Sequence, residues 1–173
     1  MDAITAIGQP APDFALSDLQ GALHHLADSR GKVLILNFWS AECPWSERAD
    51  QELQKLLDRW QKRITTWAIA SNLNETPEQI QTVATARKLP VVLIDQHHQV
   101  ADLYGAITTP HLFLIDPAGI LRYRGALDDI TFRKRKATRN HLRAAVEALL
   151  AGDRIKVSET PPYGCTIVRH EPV

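Results

Sequence analysis

Two cysteines far apart in the chain, Cys43 and Cys165, carry the chemistry this sequence can do. Cys43 lies in Trp39-Ser40-Ala41-Glu42-Cys43-Pro44-Trp45-Ser46, between an apolar run (Val33 to Phe38) and a helical pattern. A thiol where a buried strand hands over to a helix N-terminus is well placed to ionise. The helix dipole and the free N–H groups of the first turn stabilise negative charge there. The hydroxyls of Ser40 and Ser46 are within reach, and a hydroxyl that donates to a thiolate lowers its pKa further. The competing reading, an inert thiol acting as a small hydrophobe, ignores this context. Glu42 works the other way, because a carboxylate close to the thiol raises its pKa. The expectation is a nucleophilic Cys43 positioned or stabilised by Ser40 and Ser46.

The totals narrow the function. The 173 residues suit one domain with a real core, and 45% hydrophobic with 23% charged residues is ordinary for a globular chain. Lys+Arg and Asp+Glu are both 20, so charge gives no argument for nucleic acid. No apolar run approaches the roughly 20 residues that span a bilayer, so no membrane association is expected. Met1 to Pro12 lacks a basic segment followed by an apolar one, so no signal peptide is expected. With only two cysteines, the expected compartment is the reducing cytoplasm.

The elements that must position Cys43 follow in order. Ala15 to Leu26 reads as an N-terminal hairpin turning near Gln20-Gly21. His24-His25 within it reads as solvated strand rather than a metal fragment, since no further ligand is near in sequence. Val33 to Phe38 is a strand buried on both faces. A helix from Pro44 to Trp60 places Ala49, Leu53, Leu56, Leu57 and Trp60 on its core face. Trp45 either begins that face or lines a substrate surface. Thr65 to Ala70 is a second strand. Thr76-Pro77 opens a helix ending near Lys88. Strands at 91–95 and 112–116 follow, separated by a short helix at Val100 to Tyr104, and Ile120 to Gly125 returns antiparallel. The last helix runs from about Thr138 to Leu150, with Gly152 ending it. The basic run Arg133-Lys134-Arg135-Lys136 reads as a solvated loop, or as a patch or arginine aimed at an acidic partner or the thiol. The fold class is α/β, a central mixed sheet with helices on both faces and an N-terminal hairpin extension. Residues 1–152 form the domain and 153–173 a tail carrying Cys165, without periodicity that places it.

Several segments resemble the thioredoxin-like superfamily: Gly8 to Phe14, Arg30 to Trp39, Cys43-Pro44, and Thr109-Pro110 with His111 to Asp116. Within it the chain is most similar to the redoxin branch of alkyl hydroperoxide reductase/thiol-specific antioxidant proteins and peroxiredoxin-like relatives. Tyr123-Arg124-Gly125, Asp128-Asp129 and Pro162-Tyr163-Gly164-Cys165 stand in the order of one peroxiredoxin-like subgroup. The resemblance implies a thioredoxin-like fold, a cis Pro110 facing Cys43, and Thr109 and Pro110 with Trp45 at the substrate groove. It also implies a late arginine polarising a peroxide, with Arg124, Arg133 and Arg139 as candidates. His111 would lie near Cys43 as a base, a metal ligand or simply the first residue of a strand.

Two departures matter. Ser46 stands where a dithiol motif has its second cysteine, so Cys43 cannot cycle locally. Leu36 stands where the peroxiredoxin pattern has proline. Cys165 is then either a lone tail cysteine or a resolving cysteine, since loop closure over a long tail costs slowly growing entropy. The leading expectation is a thiol-dependent oxidoreductase acting as a peroxiredoxin-like antioxidant, with thiol-disulfide exchange as the alternative. Its partners would be a peroxide or disulfide substrate and an external thiol reductant of thioredoxin or glutathione type. No cofactor or metal is implied. The rival readings of another class are a metal or copper carrier using Cys43 and His111, and a vestigial interaction module.

Overall fold

A computed structural model describes residues 5–169. Residues 1–4 and 170–173, the outermost parts of the leader and tail segments discussed above, lie outside the described residues. The central sheet has the order β5-β4-β3-β7-β8. Its strands are β3 (Val33–Trp39), β4 (Ile64–Ala70), β5 (Val92–Ile94), β7 (His111–Ile115) and β8 (Leu121–Gly125). β3, β4 and β5 are mutually parallel, and β7 and β8 run antiparallel. The sheet is therefore mixed, as expected. β1 (Ala15–Ser17) and β2 (Leu23–His25) form the expected hairpin. His24 Nε2 meets the Asp18 carboxylate at 2.8 Å, a hairpin contact rather than part of a metal site.

β3 is buried at every position, which is why it reads as an unbroken apolar run. Leu34, Leu36 and Phe38 face a core shared with Phe14, Trp67, Tyr104 and Phe113. Val33 and Ile35 face the opposite core, shared with α1 (Pro44–Trp60) and α4 (His141–Ala151). α2 (Pro77–Ala86) packs its Ile80 and Ala84 against Trp39, Ala68 and Ala70 on that same face. α3 (Gln99–Tyr104) covers the other face through Val100, Ala101 and Tyr104.

Local signals set the helix ends. Pro44 opens α1, and Ala49, Leu53, Leu56 and Trp60 form its buried stripe. Thr76 caps α2 by accepting from the Gln79 N–H, while the Gln79 side chain accepts from the Thr76 N–H. α4 starts at His141, not near Thr138. Asn140 is the better cap and accepts the Arg143 N–H at 2.7 Å. Thr138 is instead held by Asp129, which takes both its N–H and its hydroxyl. Asp128 pairs with Arg48, so the Asp128-Asp129 step is structural. The basic run is solvated: Arg133, Arg135 and Lys136 are exposed, and Lys134 pairs with Asp129.

The tail is where the sequence reading was emptiest. Its chain runs beside β8, with Arg124 donating to the Ser158 carbonyl and Thr160 donating back to Arg124. It then forms β9 (Cys165–Thr166), paired antiparallel with β6 (Thr108–Thr109). Beyond β9, Ile167 is buried and Val168 binds Asn72 and Leu73.

Candidate active site

Topology gathers the site at one end of the sheet. β3 and β4 are parallel, so the loops leaving their carboxyl ends lie side by side. The first delivers Cys43, the second Glu75. β7 is antiparallel to β3, with His111 opposite Phe38, so the Thr109-Pro110 step enters at the same end. The Thr109–Pro110 peptide bond is cis, as the resemblance implied.

Cys43 is the residue just outside α1, in extended conformation, with Pro44 in the first turn. It is 2% exposed, and its Sγ lies 3.0 Å from the Thr109 carbonyl, to which the S–H donates. β9 places Cys165 directly opposite Thr109, so both thiols lie at the Thr109-Pro110 step. Both are free thiols, Cys43 buried and Cys165 half-buried.

Their ionisation is split. Burial pushes the Cys43 thiol up, but the polar groups around it, the Ser46 N–H among them, outweigh this and leave Cys43 below its ordinary value. Burial also raises Cys165, and the neighbouring Cys43 adds to this, pushing it up to about 12. The site thus pairs one thiol inclined to be a thiolate with one held as a thiol.

The two serines serve differently from expectation. The Ser40 hydroxyl donates to Glu75, not to Cys43. The Ser46 hydroxyl accepts the Ser40 N–H at 3.2 Å, and it is the Ser46 backbone N–H that supports the thiolate. Both therefore shape the turn. A first-turn backbone N–H points along the helix axis toward the cap, whereas these hydroxyls are committed to the loop. Glu42 is also displaced from its expected role, because its exposed carboxylate accepts from Asn74 and Gln79 at 3.4 Å.

Trp45 leaves the core stripe and meets Tyr163 of the tail edge-on, ring centroids 4.9 Å apart. Together with Arg48, Pro110, Asp128 and Ile130 they bound a hollow of only about 10 Å³, so the docked tail fills the space between Trp45 and Pro110. A cleft of about 590 Å³ lies elsewhere, between α1 and the β4 edge, and includes neither thiol.

None of the candidate arginines binds the thiols. Arg124 is held by Glu159 and the Thr5 carbonyl, and Arg133 and Arg139 are exposed. His111 is the first residue of β7, buried against Phe113, and burial lowers its pKa to about 4. A neutral His111 that accepts the Ile107 N–H is a strand residue, not a base. Among the described residues, no group of three or more His, Cys, Asp or Glu could hold a metal.

Glu75 has no place in the sequence reading, and Tyr163 and Gly164 stand there only as letters of the motif that ends in Cys165. Glu75 is 3% exposed and binds the turn before Cys43 through Oε1. Tyr163 covers Trp45, and Gly164 allows close approach to Thr109. Only the position of Glu75, just past the end of a central parallel strand, could have drawn notice.

Residues 7–124 match the model of the AhpC/TSA family. A thiol-disulfide oxidoreductase ResA of Geobacillus thermodenitrificans is 38% identical over 115 residues, 66% of each chain, so the match spans just under two thirds of that relative. A hypothetical protein of Sinorhizobium meliloti superposes with a TM-score of 0.86 at 31% identity, covering 98% of both chains, tail included. A thiol:disulfide interchange protein DsbE of Chlorobium tepidum, described as putative in its own structure, shares the fold at 22% identity with a TM-score of 0.65.

Proposed function

The chain belongs to the AhpC/TSA family of thioredoxin-like redoxins, and from that premise we propose that it is a thiol-disulfide oxidoreductase with Cys43 as nucleophile and Cys165 as resolving thiol. The relatives named thiol-disulfide oxidoreductase favour disulfide exchange over the expected peroxide reduction. So does the engagement of Arg124 with Glu159, which leaves it no free role in polarising a peroxide.

The observation that carries the reading is that both thiols are placed against Thr109, Cys43 through its sulfur and Cys165 through strand pairing, with opposite ionisation tendencies. The Cys43 thiolate attacks a substrate disulfide, R–S–S–R, forming Cys43–S–S–R and releasing one thiolate. Cys165 then loses its proton and attacks the Cys43 sulfur, releasing the second thiolate. The substrate disulfide is reduced to two thiols and the enzyme pair is oxidised to Cys43–S–S–Cys165. An external thiol reductant restores the pair. The tail pairs with Thr109 and covers Trp45, so it lifts to admit substrate and returns to resolve it.

Trapping tests this directly. A Cys165→Ser variant treated with a small disulfide is expected to stop at a stable mixed disulfide on Cys43, while wild type releases both halves. Wild type that also stops at the mixed disulfide would overturn the resolving role. A Cys43→Ser variant with wild-type turnover would overturn the whole reading.

A further inference from the structure

The resolving step leaves one proton without a destination. Cys165 must give up its S–H to attack, in a setting where burial and the neighbouring sulfur work against the thiolate. Ser40 and Ser46 are committed to the turn, His111 is neutral and bound to Ile107, and Glu42 faces Asn74 and Gln79 in solvent. Arg87, the cation that binds the Ala41 carbonyl on the same turn, also pairs with Asp50 and accepts no proton.

Glu75 differs from all of these. Its side chain is buried, and the two carboxylate oxygens are used unequally. Oε1 accepts the Ser40 hydroxyl and, at 3.0 Å, the Glu42 N–H, the peptide group immediately before Cys43. Oε2 is buried and has no hydrogen-bond partner among the described residues. A buried carboxylate oxygen left unpartnered is costly and stays rare unless it has a use. Glu75 also lies near enough to Cys165 for its charge to oppose ionisation of that thiol. Geometry links them as well: Glu75 holds the peptide group before Cys43, and the Cys43 sulfur meets the carbonyl of Thr109, the residue opposite Cys165.

We propose that Glu75 is the proton acceptor of the resolving step: Oε1 holds the Ser40–Glu42 turn beneath Cys43, and Oε2 takes the proton of Cys165 as its sulfur attacks the mixed disulfide. This rests on the resolving role of Cys165. The balance is simple. The Cys165 S–H proton passes to Oε2, the electron pair left on sulfur forms the new S–S bond, and the departing thiolate carries away the pair of the broken one. Glu75 then returns its proton to solvent or to that thiolate when the tail next lifts. The titratable groups around it are Cys43, Cys165 and Glu42, with Arg87 the cation on the same turn.

The two halves of the reaction separate with dithiobis(nitrobenzoate), which releases one coloured thiolate when Cys43 is captured and a second when Cys165 closes. Glu75→Gln keeps an oxygen for Ser40 and Glu42 but cannot accept a proton. The expected result is an unchanged first phase and a second phase slowed about tenfold or more at neutral pH, within the range general bases supply. That deficit should shrink as rising pH lets Cys165 ionise by itself. Ser40→Ala, which removes only an Oε1 partner, should keep the wild-type pH profile of the second phase. A Glu75→Gln second phase at the wild-type rate, or a deficit constant across pH, would overturn the proposal. Release of a single equivalent by wild type would instead overturn the resolving role on which it rests.

Discussion

Replacing Gly164 with alanine should pry the tail from the active site without unfolding the domain. Its backbone is not in the left-handed region, so contact alone is at stake. A Cβ built there lies 2.1 Å from the Thr109 carbonyl oxygen, 2.6 Å from its carbon and 3.0 Å from Pro110 Cδ. Ordinary contact begins near 3.4 Å, so β9 must retreat by about 1.3 Å from groups that cannot swing aside. Overpacking of this kind typically costs about 1–3 kcal/mol. At about 1.36 kcal/mol per factor of ten, the docked tail should be disfavoured about 5- to 150-fold. The tail remains tied at both sides, by Ser158 and Thr160 on β8 and by Ile167 and Val168 beyond β9. Closure of the Cys43–Cys165 disulfide should therefore slow by that factor while alkylation of Cys43 by iodoacetamide accelerates. Quenched-flow mass analysis measures both. Gly164→Ala protein that closes and alkylates at wild-type rates would refute the reasoning that the tail gates the thiol.

Other outcomes follow from the same geometry. In reduced wild type near neutral pH, iodoacetamide should label Cys43 before the more exposed Cys165, because reactivity follows thiolate content, and peptide mapping reads the order. Asp50 is raised to about 6, chiefly by burial, so its favourable contribution is present at low pH and lost as pH rises from 3.8 to about 6. Relative to Asp50→Asn, wild type should lose roughly 3 kcal/mol across that window in urea titrations. His111 has the opposite sign. Burial lowers it from 6.5 to about 4, so wild type should lose roughly 3 kcal/mol relative to His111→Gln as pH falls through that window. Hydrogen peroxide should oxidise Cys43 more slowly than a small disulfide does at equal concentration, as judged by stopped-flow tryptophan fluorescence.

The parts of this protein that were readable in its sequence are those whose signals are local. Val33 to Phe38 announces a strand buried on both sides, Pro44 fixes where α1 begins, and Thr76-Pro77 with Gln79 spells out a cap. The cis Pro110 came from resemblance, not from any local pattern. The tail was opaque because β9 is two residues long and its partner, β6, lies more than fifty positions earlier. No periodicity survives in so short a strand, so the meeting of Cys165 with Cys43 is a tertiary fact. Ser40 and Ser46 were placed correctly near the thiol and given the wrong partners. Side-chain direction in a turn depends on what else is nearby, here Glu75, which arrives from a separate loop. Trp45 satisfied helical spacing yet left the core, because the first turn of α1 projects past the sheet toward Tyr163.

The most direct test of the central claim is the mass and peptide map of the full chain after one equivalent of a small disulfide. The expected product is lighter by two hydrogens, carries no adduct, and yields one new cross-linked fragment joining the Cys43 and Cys165 peptides. A chain that keeps a stable adduct on Cys43 with Cys165 still a free thiol would contradict it.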